Sequence, residues 1–183
     1  LAGFCKIYSL FQELGGRLQP GLSSDEPPEI QRKNFLLREL IIIQKLVTAF
    51  DSVDVLRKGI SIFGGHGVIE DFCALPRLYR DAAVNELWEG PRNVLLMQVF
   101  RDIGRAAEFY PPDLFLRDLL SGAPEAKIQE IVERAEHFIA EPPFQKLDDD
   151  SRRRAIAWES FIVDIFRIYQ DTALKEVGPE PIL

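Results

Sequence analysis

The chain has 183 residues, 46% hydrophobic and 28% charged, enough for a domain with a substantial core and unlike a disordered composition. Its formal net charge of -7 argues against a general nucleic-acid surface, because phosphate binding needs clustered Lys and Arg to displace counterions. Two cysteines, Cys5 and Cys73, are too few for the multi-bridge framework of a small secreted domain and point to reduced thiols in an intracellular compartment. No Cys/His spacing of a metal site occurs.

Leu1-Ala2-Gly3-Phe4 has neither the charged flank nor the long apolar core of a signal peptide, so the chain reads as a fragment or a processed piece. No apolar run approaches the roughly 20 residues needed to span a bilayer. Phe4, Ile7, Tyr8, Phe11 and Leu14 recur at three-and-four spacing and predict a helix over 4–16, closed by Gly15-Gly16. Residues 21–26 read as a polar turn with Ser23, Ser24 and Asp25 as candidate caps, and Pro27-Pro28 suits a helix start. A long helix follows over 29–60, its stripe running through Phe35, Leu40, Ile43, Val47, Phe50 and Leu56. Leu37, Ile41 and Ile42 lie off that stripe, so the helix calls for cover on more than one side, from bundle neighbours or a second subunit.

After a glycine loop, residues 74–87 read as a short connection in which Pro76 prevents one continuous helix. Pro91 opens a helix over 91–109, and Tyr110-Pro111-Pro112 closes it and marks the division between a core, 1–110, and an extension, 111–183. The extension holds a short segment over 114–120, then a stripe of Ile128, Ile131, Val132, Ala135 and Phe138 ending at Glu141-Pro142-Pro143. Ser151 is the candidate cap of a last helix bearing Trp158, Phe161, Ile165 and Tyr169 and ended by Gly178-Pro179, which makes the tail a helical hairpin. No strand-like alternation of useful length occurs, and the expected fold is all-α.

Glycines, carboxylates and aromatics cluster at tight spacing only over 59–101. Gly64, Gly65 and Gly67 permit close backbone approach to a ligand, or positive φ. Trp88-Glu89-Gly90-Pro91 sets a carboxylate between a large aromatic and a glycine, just before a proline able to open a helix. Ser61-Ile62-Phe63-Gly64-Gly65-His66-Gly67, Tyr79-Arg80-Asp81 and Trp88-Glu89-Gly90-Pro91 together resemble the Gln-x-x-Gly-Gly-x-Gly, Tyr-Arg-Asp and Tyr-Glu-Gly-Thr motifs of the acyl-CoA dehydrogenase carboxy-terminal domain, in the same order and with similar gaps. The resemblance covers roughly residues 1–110, and the tail beyond is similar to the longer, AidB-like branch.

The resemblance implies an incomplete four-helix bundle, its opening helix missing, with the helical hairpin added. It implies a flavin-dependent α,β-dehydrogenation of an acyl-CoA thioester, with FAD as cofactor, Glu89 as base and Gly90 against the substrate. A dry pocket, partly walled by Trp88, would raise the Glu89 pKa toward the useful range. The resemblance further implies that Ser61, Ile62, Phe63, Gly64 and Gly65 contact the flavin of a neighbouring subunit in a dimer or tetramer. Ser61 stands in place of the family's Gln, and Pro91 in place of its Thr, so any flavin contact after Gly90 falls to Arg92 or Asn93 or is absent. An electron-transfer acceptor and a cytoplasmic or mitochondrial-matrix location accompany this reading.

Other readings of the same residues stand beside it. Glu89 serves equally as a helix-start carboxylate, and the glycines as a helix exit with a tight turn. Arg80 and Asp81 are expected to form a structural ion pair, His66 to be a loop side chain and His137 a surface residue. Ser61, Pro91 and the tail also fit a catalytically inactive helical interaction module. The basic cluster Arg152-Arg153-Arg154, preceded by three aspartates, is all that favours an AidB-like nucleic-acid-associated flavoprotein.

Overall fold

A computed structural model of the chain describes residues 1–16, 26–144 and 146–177. These residues contain seven α-helices and no strand, in keeping with the all-α expectation: α1 (Ala2–Glu13), α2 (Pro28–Phe63), α3 (Leu75–Asn85), α4 (Arg92–Ala106), α5 (Pro112–Leu119), α6 (Glu125–Ala140) and α7 (Asp149–Val177). The candidate caps Ser23, Ser24 and Asp25 and the Gly178-Pro179 stop lie outside the described residues.

Local chemistry explains most helix ends. Gly15 and Gly16 leave α1 with φ of 75° and 70°, their N–H groups donating to Gln12 O (2.9 Å) and Phe11 O (3.0 Å), a left-handed exit that glycine takes without a Cβ clash. Pro28 opens α2, whose 36 residues make it about 54 Å long at 1.5 Å per residue. Its buried side chains are Phe35, Leu37, Glu39, Leu40, Ile43, Leu46 and Val47, and no α2 residue beyond Val47 is buried.

Two expectations are corrected. Residues 75–85 form a helix, α3, instead of a broken connection, because Pro76 occupies its first turn, where the missing N–H is not needed. The cap of α7 is Asp148, not Ser151: its Oδ1 accepts the Ser151 N–H at 2.7 Å, and the helix starts two residues earlier. In the tail α6 and α7 pack on one another, with α5 on α6 and α7 on α1.

By contacts the chain divides into two compact units, one from residues 1–43 and 96–183 and the other from residues 44–95. The core of the first is aromatic: the Phe35 ring meets Tyr110 and Phe115 edge-on at 6.0 and 5.3 Å, and the Tyr110 hydroxyl donates to Asp118 at 2.7 Å. Arg38 pairs with Asp102 at 2.7 Å, Trp158 Nε1 donates to Leu96 O at 3.0 Å, and Tyr169 on α7 donates to Gly3 O of α1 at 3.3 Å. Tyr110, at the division read from the sequence, lies inside this unit. The second unit holds the end of α2, a 3₁₀ turn over Gly64–Val68, α3, the turn after it and the start of α4, and with them every candidate site residue.

Candidate functional site

The turn between α3 and α4 is built on backbone hydrogen bonds from Leu87 N and Trp88 N to Val84 O (3.0 and 3.1 Å). Glu89 then takes φ 61°, the one positive φ outside glycine among the described residues, and Gly90 takes φ 119°. Left-handed backbone is uncommon for a side-chain-bearing residue and persists only where its surroundings impose it. Lys45 of α2 ties the turn down on both sides of Glu89: its Nζ donates to Gly90 O at 2.8 Å and reaches Glu86 O at 3.5 Å. Pro91 O accepts from Val94 N (2.9 Å) and Leu95 N (3.2 Å) and so starts α4.

Beside this turn is an open pocket of about 320 Å³, lined by Lys45, Thr48 and Ser52 of α2, Asn85 at the end of α3, and Trp88 with Glu89. Glu89 is exposed and Trp88 is 69% exposed, so this chain by itself gives the carboxylate a wall but no dry enclosure. Lys45 was not singled out from the sequence. It stands 45 residues before Gly90, and nothing local marks it as the anchor of a distant turn.

The glycine motif begins inside α2, since residues 61–63 are its last turn. Ser61 Oγ donates to Arg57 O at 3.1 Å, while Ile62 and Phe63 are 83% and 52% exposed. The three glycines have different reasons. A Cβ at Gly67 would lie 2.3 Å from Ile60 O, so the close return of the 3₁₀ turn onto α2 requires glycine there. Gly64 has φ 58°. Gly65 has neither a positive φ nor any atom within 4 Å of an added Cβ, so nothing in this chain requires it to be glycine.

The remaining candidates are placed as follows. The Arg92 guanidinium lies 4.2 Å from the centre of the Phe50 ring and is half-buried, whereas Asn93 is exposed. Arg80 pairs with Glu70 rather than with the expected Asp81, because neighbours in sequence point to different sides of a helix. His66 rests against Phe72 at 4.6 Å as a loop side chain, and His137 is exposed. Arg152 and Arg153 pair with Asp149 and Asp150 (3.2 and 3.3 Å) and Arg154 with Glu141 (3.6 Å), so the basic cluster is neutralised by its own neighbours. Among the described residues no group of side chains could hold a metal ion, and no helix is long and apolar enough to cross a membrane.

Residues 25–104, which span α2, α3 and most of α4, match the family model described as acyl-CoA dehydrogenase, C-terminal domain. That segment is similar to the acyl-CoA dehydrogenase C-terminal domain. The chain is 38% identical over 86 residues to acyl-CoA dehydrogenase family member 11 of Caenorhabditis elegans, and 34% identical over 79 residues to the putative acyl-CoA dehydrogenase AidB of Escherichia coli (strain K12). These alignments cover 47% and 43% of this chain and 13% of each relative. No solved structure matches the chain. The acyl-CoA dehydrogenase segment contains Ser61, the three glycines and Glu89, while α1, α6 and α7 lie outside it.

Proposed function

We propose that the full protein containing this chain is a flavin-dependent acyl-CoA dehydrogenase in which Glu89 is the base. The observation that carries this is the backbone of Glu89: a left-handed turn, anchored by Lys45, presents the carboxylate at the edge of an open pocket instead of folding it back onto the chain. Its carboxylate takes the proton from the carbon next to the thioester carbonyl, and the neighbouring carbon gives up a hydride. FAD, when bound, supplies the acceptor for that hydride. Gly90 lets the acyl thioester approach the turn closely, since its φ of 119° excludes a side chain. An apolar wall brought by the rest of the protein would join Trp88 in excluding water from the site.

The residues present fit a flavin at the glycine turn. Backbone at Gly64 and Gly65 is exposed, and a Cβ added at either would meet nothing within 4 Å, which leaves room for a pyrophosphate to approach the chain. Ser61 to Gly65 would hold it, with Asn93 as the exposed candidate beyond Gly90 and Arg92 turned onto Phe50. The apolar, exposed end of α2 fits a second subunit, so the turn serves a neighbour's cofactor in a dimer or tetramer. An electron-transfer partner would reoxidise the flavin.

A second reading, an inactive interaction module on the dehydrogenase scaffold, is favoured by Ser61, whose hydroxyl is engaged by its own helix, and by Pro91, which has no N–H to offer. Purification separates the two. The active reading expects a yellow full-length protein that reduces an artificial acceptor when given an acyl-CoA, and a colourless protein would overturn it.

A further inference from the structure

We propose that the first unit holds a second ligand site, made of residues that the Glu89 pocket does not use, which takes an uncharged hydrocarbon group: a short alkyl chain or a small aromatic ring. A cavity of about 240 Å³ lies among four helices, its walls including Phe100 and Gly104 of α4, Ala107 just beyond its end, Leu116 of α5, Ala135 of α6 and Trp158 of α7. It exceeds the roughly 150 Å³ of an apolar cavity that stays dry and takes up benzene.

The walls select the ligand. No charged side chain lines the cavity, so a carboxylate or phosphate would enter without a counter-charge or hydrogen-bond partner. The one strong side-chain donor in the lining, the Trp158 indole N–H, already donates to Leu96 O at 3.0 Å. What remains facing the space is mostly hydrocarbon: the Phe100 ring packs edge-on against Trp158 at 5.2 Å, and Trp158 packs on Phe161 at 5.3 Å, so the aromatic wall is built by the chain's own packing. A half-exposed Ile139 stands at the lining and marks its open side.

Gly104 is the feature that points to use. It lies in the last turn of α4, yet its φ is not positive, so it serves no left-handed helix exit, and an added Cβ would meet nothing within 4 Å. Neither backbone geometry nor packing requires glycine there. A larger residue would strengthen the helix and fill the hollow, and its absence keeps the hollow open.

The test is titration of the full-length protein with octan-1-ol and, separately, with toluene, followed by calorimetry. Saturable binding of either probe at one site is expected, octan-1-ol alone indicating an alkyl ligand and toluene alone a compact aromatic one. Gly104→Leu should weaken that binding by at least about tenfold while leaving the melting temperature equal or higher. Ala107→Leu, filling the same space from the residue just after α4, should do likewise if the first variant is poorly folded. No saturable binding of either probe to the unmodified protein, or undiminished binding to a folded filled variant, would overturn the proposal.

Discussion

The ammonium of Lys45 on α2 donates to the carbonyl of Gly90 at 2.8 Å, tying the middle of a long helix to a turn 45 residues further on and fixing the left-handed backbone on which Glu89 stands. Under the proposed function Lys45 is a positioning residue: it holds the turn that carries the Glu89 carboxylate. Replacing it by Met removes a charged donor and should lower stability by about 1.5–3 kcal/mol. Turnover should fall as well, and Lys45→Arg, which keeps a cationic donor, should restore part of it. Thermal melts paired with acyl-CoA-dependent flavin reduction check this. A Met variant that matches the parent in both would show that the turn holds its shape without Lys45.

Two neighbouring glycines should respond in opposite ways to the same substitution. Gly67→Ala places a methyl group 2.3 Å from Ile60 O and should destabilise the fold by about 1–3 kcal/mol, because backbone there must move. Gly65→Ala meets open space, so its stability should change by no more than about 0.5 kcal/mol, while flavin retention should weaken. Equal flavin content in the Gly65→Ala variant and the parent would remove Gly65 from the cofactor site.

Much of the fold was legible because apolar periodicity and punctuation agreed. Phe35, Leu40, Ile43 and Val47 mark the buried side of α2, and Gly15-Gly16 ends α1 where the sequence placed its end. Position within a helix outweighs residue type at two places: Pro76 sits in the first turn of α3, where it opens the helix instead of breaking it, and Asp148 rather than Ser151 caps α7. At the candidate site, the motifs point to Glu89 and the glycine turn. They carried no sign of Lys45 or of the separate reasons for Gly65 and Gly67, since those follow from contacts that only the folded chain makes.

Glu39 offers a test of the first unit that is independent of catalysis. Its side chain is 0% exposed, and neither carboxylate oxygen has a hydrogen-bond partner among the described residues. Burial, helped by the charge of Asp102 and opposed by Arg38, pushes its pKa from 4.5 up to about 8. Between those values the unfolded chain ionises Glu39 while the folded chain keeps the proton. Stability from this group therefore falls as pH rises from about 4.5 to about 8 and levels off above that. Glu39→Met should melt higher than the parent at pH 8, by a wider margin than at pH 5. Parallel melting profiles for the two proteins across that range would contradict the buried, protonated state.

The exposed apolar groups of the second unit predict self-association. Val55, Ile62 and Phe63 on α2 and Val68 beside them are each more than half exposed, more than a solvent-facing helix end ordinarily shows together. Sedimentation of the full-length protein at micromolar concentration should show a dimer or tetramer, and Ile62→Glu should shift it toward monomer. A monomeric parent would count against the glycine turn serving a neighbouring subunit.

The central claim is that Glu89 is the base, and single-turnover flavin reduction in Glu89→Gln tests it most directly. Gln keeps the size of the side chain and removes its basicity, so melting temperature and flavin content should match the parent. The rate of flavin reduction by acyl-CoA should fall by roughly 10²- to 10⁴-fold, as expected when a positioned base is lost. A Gln variant that reduces its flavin at the parent rate would contradict the account and place the base outside this turn.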